Sequence, residues 1–221
     1  RAFGATRRFC TTADELEAAL AGGALCVLSA VENGNAMARD LSRLVVALIR
    51  DFPEFYKYYA IKEFAYGGIN QPNRNRLLWM DPNVDGVKTG HTESAGYCLI
   101  ASATRDNRRL VSVVLGTGSD SARAMESQKL LNYGFQFFET VKLYPANQAV
   151  SSLRIYKGKG GEVKAGFLSD FHVTVPRGMS KNIQAQLVTQ QPLLAPVRRG
   201  QKLGTLRLSV DGQPVGDYPL L

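Results

Sequence analysis

Leu41, Leu44, Val45, Leu48 and Ile49 recur at three- and four-residue intervals, which draws one apolar stripe along a helix from Ala38 to Asp51. Arg43 and Arg50 fall off that stripe. Pro53 stands where a proline costs a helix least, at its first turn, and opens a second short helix. Its aromatics Phe55, Tyr56 and Tyr59 are predicted to pack into a core. Asn70 to Pro82, with two prolines and three asparagines, reads as a surface loop. Val84 to Thr89, Gly96 to Ala103 and Leu110 to Gly116 read as three antiparallel strands. The segment Thr104 to Arg109, around Asp106-Asn107, closes the last two into a hairpin. Ser119 or Asp120 is placed to cap a further helix, whose buried side is marked by Leu130, Gly134, Phe137, Phe138 and Val141.

The pattern changes at Tyr144-Pro145. Short alternating segments follow at Ser152 to Tyr156, Glu162 to Phe167, His172 to Val175, Ala185 to Thr189 and Thr205 to Val210, with glycines and prolines between them. That rhythm predicts a small sandwich or barrel. The expected organisation is an unassigned segment 1–37, an α+β region 38–144 and a β-rich domain 145–221.

With 45% apolar and 21% charged residues among 221, the chain is long enough and apolar enough for a substantial core. The apolar window Ala18 to Val31 is broken by two glycines and is too short to span a bilayer, which takes about 20 residues. The net charge of +8 and pI near 9.5 favour anionic surroundings. Basic residues are nonetheless dispersed, and the pairs Arg7-Arg8, Arg108-Arg109 and Arg198-Arg199 build no nucleic-acid module, so nucleic acid is not an expected partner. Three widely spaced cysteines, Cys10, Cys26 and Cys98, form no complete disulfide framework. Only two histidines occur, His91 and His172, without partners at ligand spacing, so no metal or other cofactor is expected.

Candidate chemistry concentrates in Lys88-Thr89-Gly90-His91. A cation, a hydroxyl and a glycine that admits another backbone suit a peptide's terminal carboxylate and the acyl oxygen beside it. Asp85 is placed either to orient Lys88 or simply to make an Asp-Gly turn. Lys-Thr-Gly is also the third signature element of serine acyltransferases that include penicillin-binding proteins and class A β-lactamases. Its surroundings sharpen the match: Ala38-Arg39-Asp40-Leu41, Tyr56 to Tyr59, Lys62-Glu63-Phe64, Asn73-Arg74-Asn75, Leu77-Leu78-Trp79, Asp85-Gly86-Val87 and Ala95-Gly96-Tyr97. In order and spacing, Ala38 to Leu221 resembles the C-terminal portion of low-molecular-weight D-alanyl-D-alanine carboxypeptidases of the penicillin-binding protein 5 type.

The resemblance implies the C-terminal part of a penicillin-binding/β-lactamase-like transpeptidase domain, antiparallel strands packed with helices, followed by a small all-β sandwich domain. It implies a serine-type hydrolase that removes the last D-alanine from peptidoglycan pentapeptides in the periplasm, associated with the inner membrane. By the same resemblance Lys88, Thr89, Gly90, the His91 amide and Arg74 bind substrate. The family attacks with Ser-x-x-Lys, assisted by Ser-x-Asn. Neither is expected anywhere in this chain, so no catalytic residue is assigned and this chain alone is expected to be inactive, with β-lactams bound only by a complete protein. The family's C-terminal membrane-anchoring helix is not expected in this chain either. The alternative is a non-catalytic module that binds peptidoglycan or a protein. A sheet lacking the covering half of its domain is expected to associate or to be poorly soluble.

Overall fold

The computed structural model describes residues 25–30, 35–189 and 191–221, which form two units, one within Leu25–Phe137 and one within Phe138–Leu221. Cys10, most of the 18–31 window and most of the expected segment 1–37 lie outside the described residues.

The first unit is built on a four-stranded sheet ordered β1-β6-β5-β4, where β1 is Leu25–Ala30, β4 Val84–Thr92, β5 Gly96–Arg105 and β6 Arg108–Thr117. Strands β4, β5 and β6 are the expected antiparallel trio. Asp106 and Asn107 turn between β5 and β6 with φ of 50° and 59°, the left-handed conformation these two residue types tolerate and a tight hairpin requires. Two differences matter. Strand β4 runs on through Thr92, so Lys88 sits in mid-strand rather than near the end. Strand β1 pairs parallel to β6, Leu28 opposite Ser112, and removes the free edge expected there.

Both faces of the sheet are covered. Helix α1 (Asn35–Asp51) and helix α2 (Pro53–Tyr56) place Val45 and Tyr56 on Val87 and Val111. Helix α4 (Asp120–Phe137) places Ala124, Leu131 and Phe135 against Leu99, Ala101, Ala103 and Leu110 of the opposite face. The expected bare sheet face is therefore absent. Leu77, Leu99, Leu110 and Leu131 are essentially inaccessible, and full burial of such a side chain stabilises by about 1.5–3 kcal/mol. Ser119 Oγ accepts the Ala122 N–H at 3.1 Å and caps α4. The buried side of α4 turns on Leu131 and Phe135 instead of Leu130 and Phe137. Phe137 is exposed, and Phe138 and Val141 belong to the next strand. Phe55 is likewise exposed while Tyr56 is buried, because one short turn can aim only one of them inward.

Segment 70–82 is less of a loop than its composition implies. It contains the end of β3 (Ile69–Pro72), which pairs with β2 (Glu63–Tyr66), and then the single turn α3 (Leu77–Met80). Two adjacent leucines outweigh the polar flanks: Leu77 and Leu78 join the α4-side core.

The second unit holds three small sheets: β7 (Phe138–Tyr144) with β10 (Phe171–Pro176); β8 (Ala149–Tyr156) between β9 (Glu162–Gly166) and β12 (Leu193–Leu194); and β11 (Ile183–Thr189), β13 (Gly204–Val210) and β14 (Gln213–Leu220). Their inward residues share one core. There Phe167 and Phe171 stack at 4.2 Å between ring centres and Tyr218 meets Phe171 edge-on at 4.8 Å.

Candidate carboxylate-binding cleft

Among the described residues strand β4 is one of the two edges of its sheet, and the cleft beside it has a volume of about 880 Å³. Its walls include Thr89, Gly90 and His91 from β4, Arg74 from the segment after β3, and Trp79 and Met80 from α3. Arg76, Tyr97, Asp120 and Arg123 complete its polar side. Four of the five residues read from the sequence as substrate-binding therefore share one cavity.

Lys88 does not line it. Side chains alternate along a strand. Thr89 stands opposite Leu99, a member of the α4-side core, whereas Lys88 stands opposite Ile100, which packs on the α1 side. The Lys88 ammonium is exposed and donates to the Thr89 carbonyl at 2.8 Å. Asp85 does not orient it. That carboxylate receives Arg109 at 2.8 and 2.7 Å and the Tyr56 hydroxyl at 2.9 Å. Burial and the neighbouring Asp85 charge both push the Tyr56 hydroxyl far above the ordinary tyrosine pKa, so it stays a neutral donor. Gly86 is required by this packing, since a Cβ there would lie 2.6 Å from the Tyr56 oxygen.

Gly90 is different. A Cβ there would meet nothing nearer than Cys98 Cβ at 3.8 Å, so the fold has room for a side chain and the glycine serves the open side of the strand. The His91 ring rests on Tyr97 with centroids 4.0 Å apart, which braces the imidazole against the cleft wall.

Beneath these groups lies Arg123, a buried cation with no apparent signal in the sequence. Its guanidinium donates to the carbonyls of Gly90 (3.1 Å), Cys98 (3.5 Å) and Arg74 (3.4 Å) and to the Asp120 carboxylate, and covers the Tyr97 ring at 5.5 Å. Asp120 also holds Arg76. One side chain thus ties the edge strand, its neighbour strand and the Arg74 segment together. Asn75 completes the clamp: it is buried, donates to the Gly86 carbonyl at 3.0 Å and accepts the Leu77 N–H at 3.2 Å. Asn73 ties the same segment back to the Ile61 carbonyl at 2.9 Å. With Arg74, Arg76 and Arg123 against one carboxylate, the cleft carries an excess of positive charge.

The family model for D-alanyl-D-alanine carboxypeptidase matches residues 28–119, and that for the penicillin-binding protein 5 C-terminal domain matches residues 138–221. The chain belongs to the D-alanyl-D-alanine carboxypeptidase family. The match to this family begins at residue 28, upstream of the Ala38 at which the motif string starts. The carboxypeptidase DacC of Escherichia coli is 46% identical over 83% of this chain and 46% of its own length. DacA of Haemophilus influenzae is 43% identical over 85% of this chain and 49% of its own. The chain thus spans about half the length of the curated relatives it matches. Crystal structures of penicillin-binding protein 5 from Haemophilus influenzae superpose with a TM-score of 0.75 at 43% identity, covering 83% of this chain and 54% of that one.

Two further features bear on a carboxypeptidase family member. Ser-x-x-Lys is absent from the sequence. Ser-x-Asn occurs once, against the expectation that it is wholly absent, as Ser180-Lys181-Asn182. That string forms a 3-10 turn of the second unit, where Asn182 is occupied by Asp211 at 2.8 Å, so it is no part of the cleft. Among the described residues no cluster suits a metal ion, and no helix is long and apolar enough to cross a membrane.

Proposed function

We propose that the cleft is the carboxylate-binding half of a serine-type D-Ala-D-Ala carboxypeptidase site, acting on periplasmic peptidoglycan stem peptides. A peptide laid along β4 pairs with its free edge as a further strand, passing over Gly90. Its terminal carboxylate is held by the Thr89 hydroxyl and the Arg74 fork, in the positive field of Arg76 and Arg123. The His91 N–H is one donor to the acyl oxygen. Lys88 acts from the rim, its ammonium free to leave the Thr89 carbonyl for a ligand. The observation that carries this reading is the convergence of Arg74, Thr89, Gly90 and His91 on one cationic cleft along an open strand edge.

The attacking serine and its lysine are not supplied by these residues, so the chain by itself binds without hydrolysing. The absence of Ser-x-x-Lys also favours a second reading, a non-catalytic module for peptidoglycan or a protein partner. Labelling with a fluorescent penicillin, competed by Nα-acetyl-Lys-D-Ala-D-Ala, tests both. The expected result is no covalent adduct, with reversible peptide binding at a Kd of about 1 mM, or roughly 4 kcal/mol. A stable penicillin adduct on this chain would refute the binding-only role. Absence of any saturable peptide binding would refute the cleft assignment.

A further inference from the structure

A second cavity, of about 430 Å³, lies wholly within the β unit and has no part in the cleft on β4. Its size falls in the range of small-molecule sites. Lys164 of β9 stands on one wall, and the consecutive Arg198 and Arg199 stand on another. Phe167, Val197 and Leu203 supply apolar lining. Among the described residues no Asp or Glu side chain lines it. Leu221 lines it through its main chain, with its N–H and one terminal oxygen paired to Gly166 at 3.0 and 2.8 Å, so the 221-residue chain sets one α-carboxylate beside the three cations.

The main chain of the arginine wall and one of its guanidinium groups are held in place by the protein itself. The Arg198 N–H donates to Gln201 Oε1 at 3.0 Å and the Gln201 N–H returns to the Arg198 carbonyl at 3.0 Å, which locks a turn whose Gly200 has a φ of 80°. Arg199 Nη2 is pinned by Asn147 Oδ1 at 3.0 Å, and the Asn147 N–H is fixed on the Phe167 carbonyl at 2.7 Å. The opposite wall is rigid at Gly166, where a Cβ would collide with the Gln148 carbonyl at 2.2 Å. The unit as a whole is basic: residues 138–221 hold eleven Lys and Arg against five Asp and Glu, a net +6 of the chain's +8.

We infer that this cavity binds an organic phosphomonoester. Three cations beside one α-carboxylate leave a net +2, which calls for more than the single charge of a second carboxylate. A phosphomonoester carries about −1.5 to −2 at neutral pH and offers three acceptor oxygens to two guanidinium forks and an ammonium. The apolar lining means that the phosphate arrives on an organic body. That body is either a soluble metabolite or the glycerol of a lipid headgroup, and the two share this chemistry.

The test uses the whole 221-residue chain, titrated by calorimetry with glycerol 3-phosphate and with inorganic phosphate. In parallel it is sedimented with phosphatidylcholine vesicles with or without phosphatidic acid. Saturable binding to glycerol 3-phosphate or to the phosphatidic acid vesicles is expected, and whichever arm binds names the source. Inorganic phosphate should bind at least tenfold more weakly than the organic ester. Binding should weaken as pH falls below about 6, where the second phosphate proton returns. Arg198→Glu with Arg199→Glu should abolish it, while the charge-matched pair Lys159→Glu with Lys181→Glu, outside the cavity, should leave it within twofold. All four side chains are exposed, and unchanged circular dichroism confirms that each variant folds. No saturation in either arm, or equal loss in both double variants, would overturn the site.

Discussion

Replacing Arg123 with alanine should destabilise the first unit selectively, by an amount the geometry sets. The side chain is about 5% exposed and serves three backbone carbonyls and one carboxylate. Hydrogen bonds to a charged group contribute about 1.5–3 kcal/mol each, but these share one guanidinium and do not add. Breaking a buried ion pair typically costs about 3–5 kcal/mol because a partner is left uncompensated. Asp120 keeps Arg76 and is 29% exposed, so it is only partly stranded. The lower end, about 3 kcal/mol, therefore applies. At a urea slope of about 2 kcal/mol per molar, the midpoint falls by about 1.5 M. The chain's single tryptophan, Trp79, lies in the same unit and on the same cleft, so its fluorescence follows this unit's unfolding without interference from the β unit. Arg123→Lys, which keeps the charge but loses the planar fork, should recover less than half of the loss. A midpoint shift below about 0.3 M for the alanine variant would mean that the guanidinium does not hold these segments together.

Gly90→Ala should leave the tryptophan-detected stability within about 0.5 kcal/mol, since the fold has room for the methyl group, yet weaken D-Ala-D-Ala peptide binding about tenfold in calorimetry. Gly86→Ala should do the reverse in urea titration, losing about 1–3 kcal/mol as the added Cβ meets the Tyr56 hydroxyl. Asp81 is a pH determinant. Burial, which would raise its pKa, is outweighed by hydrogen bonds from the Asn83 backbone and side chain and from Arg105, so its folded pKa lies below the ordinary value. Its stabilising effect is thus complete above the unfolded value of about 3.9 and is lost as pH falls through the lower folded value. Acid titration followed by Trp79 fluorescence should show Asp81→Asn flattening the stability curve below about pH 4.

What the sequence made legible was whatever depends on neighbours in the chain. The α1 helix, the three long strands and the Asp106-Asn107 hairpin follow from local periodicity and turn chemistry, and they appear in the structure within a few residues; the stripe itself is shifted, with Leu44 65% exposed and Val46 buried beside Val45. The tetrad stood out because four adjacent letters carry its candidate chemistry, and three of the four, Thr89, Gly90 and His91, line the cleft. The parallel pairing of β1 was not, since it joins Leu28 to Ser112 across most of the unit. Residues 70–82 were misread because polar composition speaks for solvent, while the burial of Leu77 and Leu78 is decided by strands and a helix from elsewhere in the chain.

Arg123 shows why the chemical core of a site is harder to read than its rim. On α4 it looks like one more charge three residues after Asp120. Its role comes from carbonyls 25, 33 and 49 residues away, and those oxygens have no side-chain signature at all. The same logic separates the two glycines of β4: Gly86 is fixed by Tyr56, 30 positions upstream, and Gly90 by nothing among the described residues, where a Cβ would come no closer than 3.8 Å to Cys98. A glycine that the described fold does not need, on an open strand edge and above a buried cation, is accounted for by the peptide proposed to bind there. Gly90→Ala therefore distinguishes a requirement of ligand binding from one of folding, which sequence inspection alone treats alike.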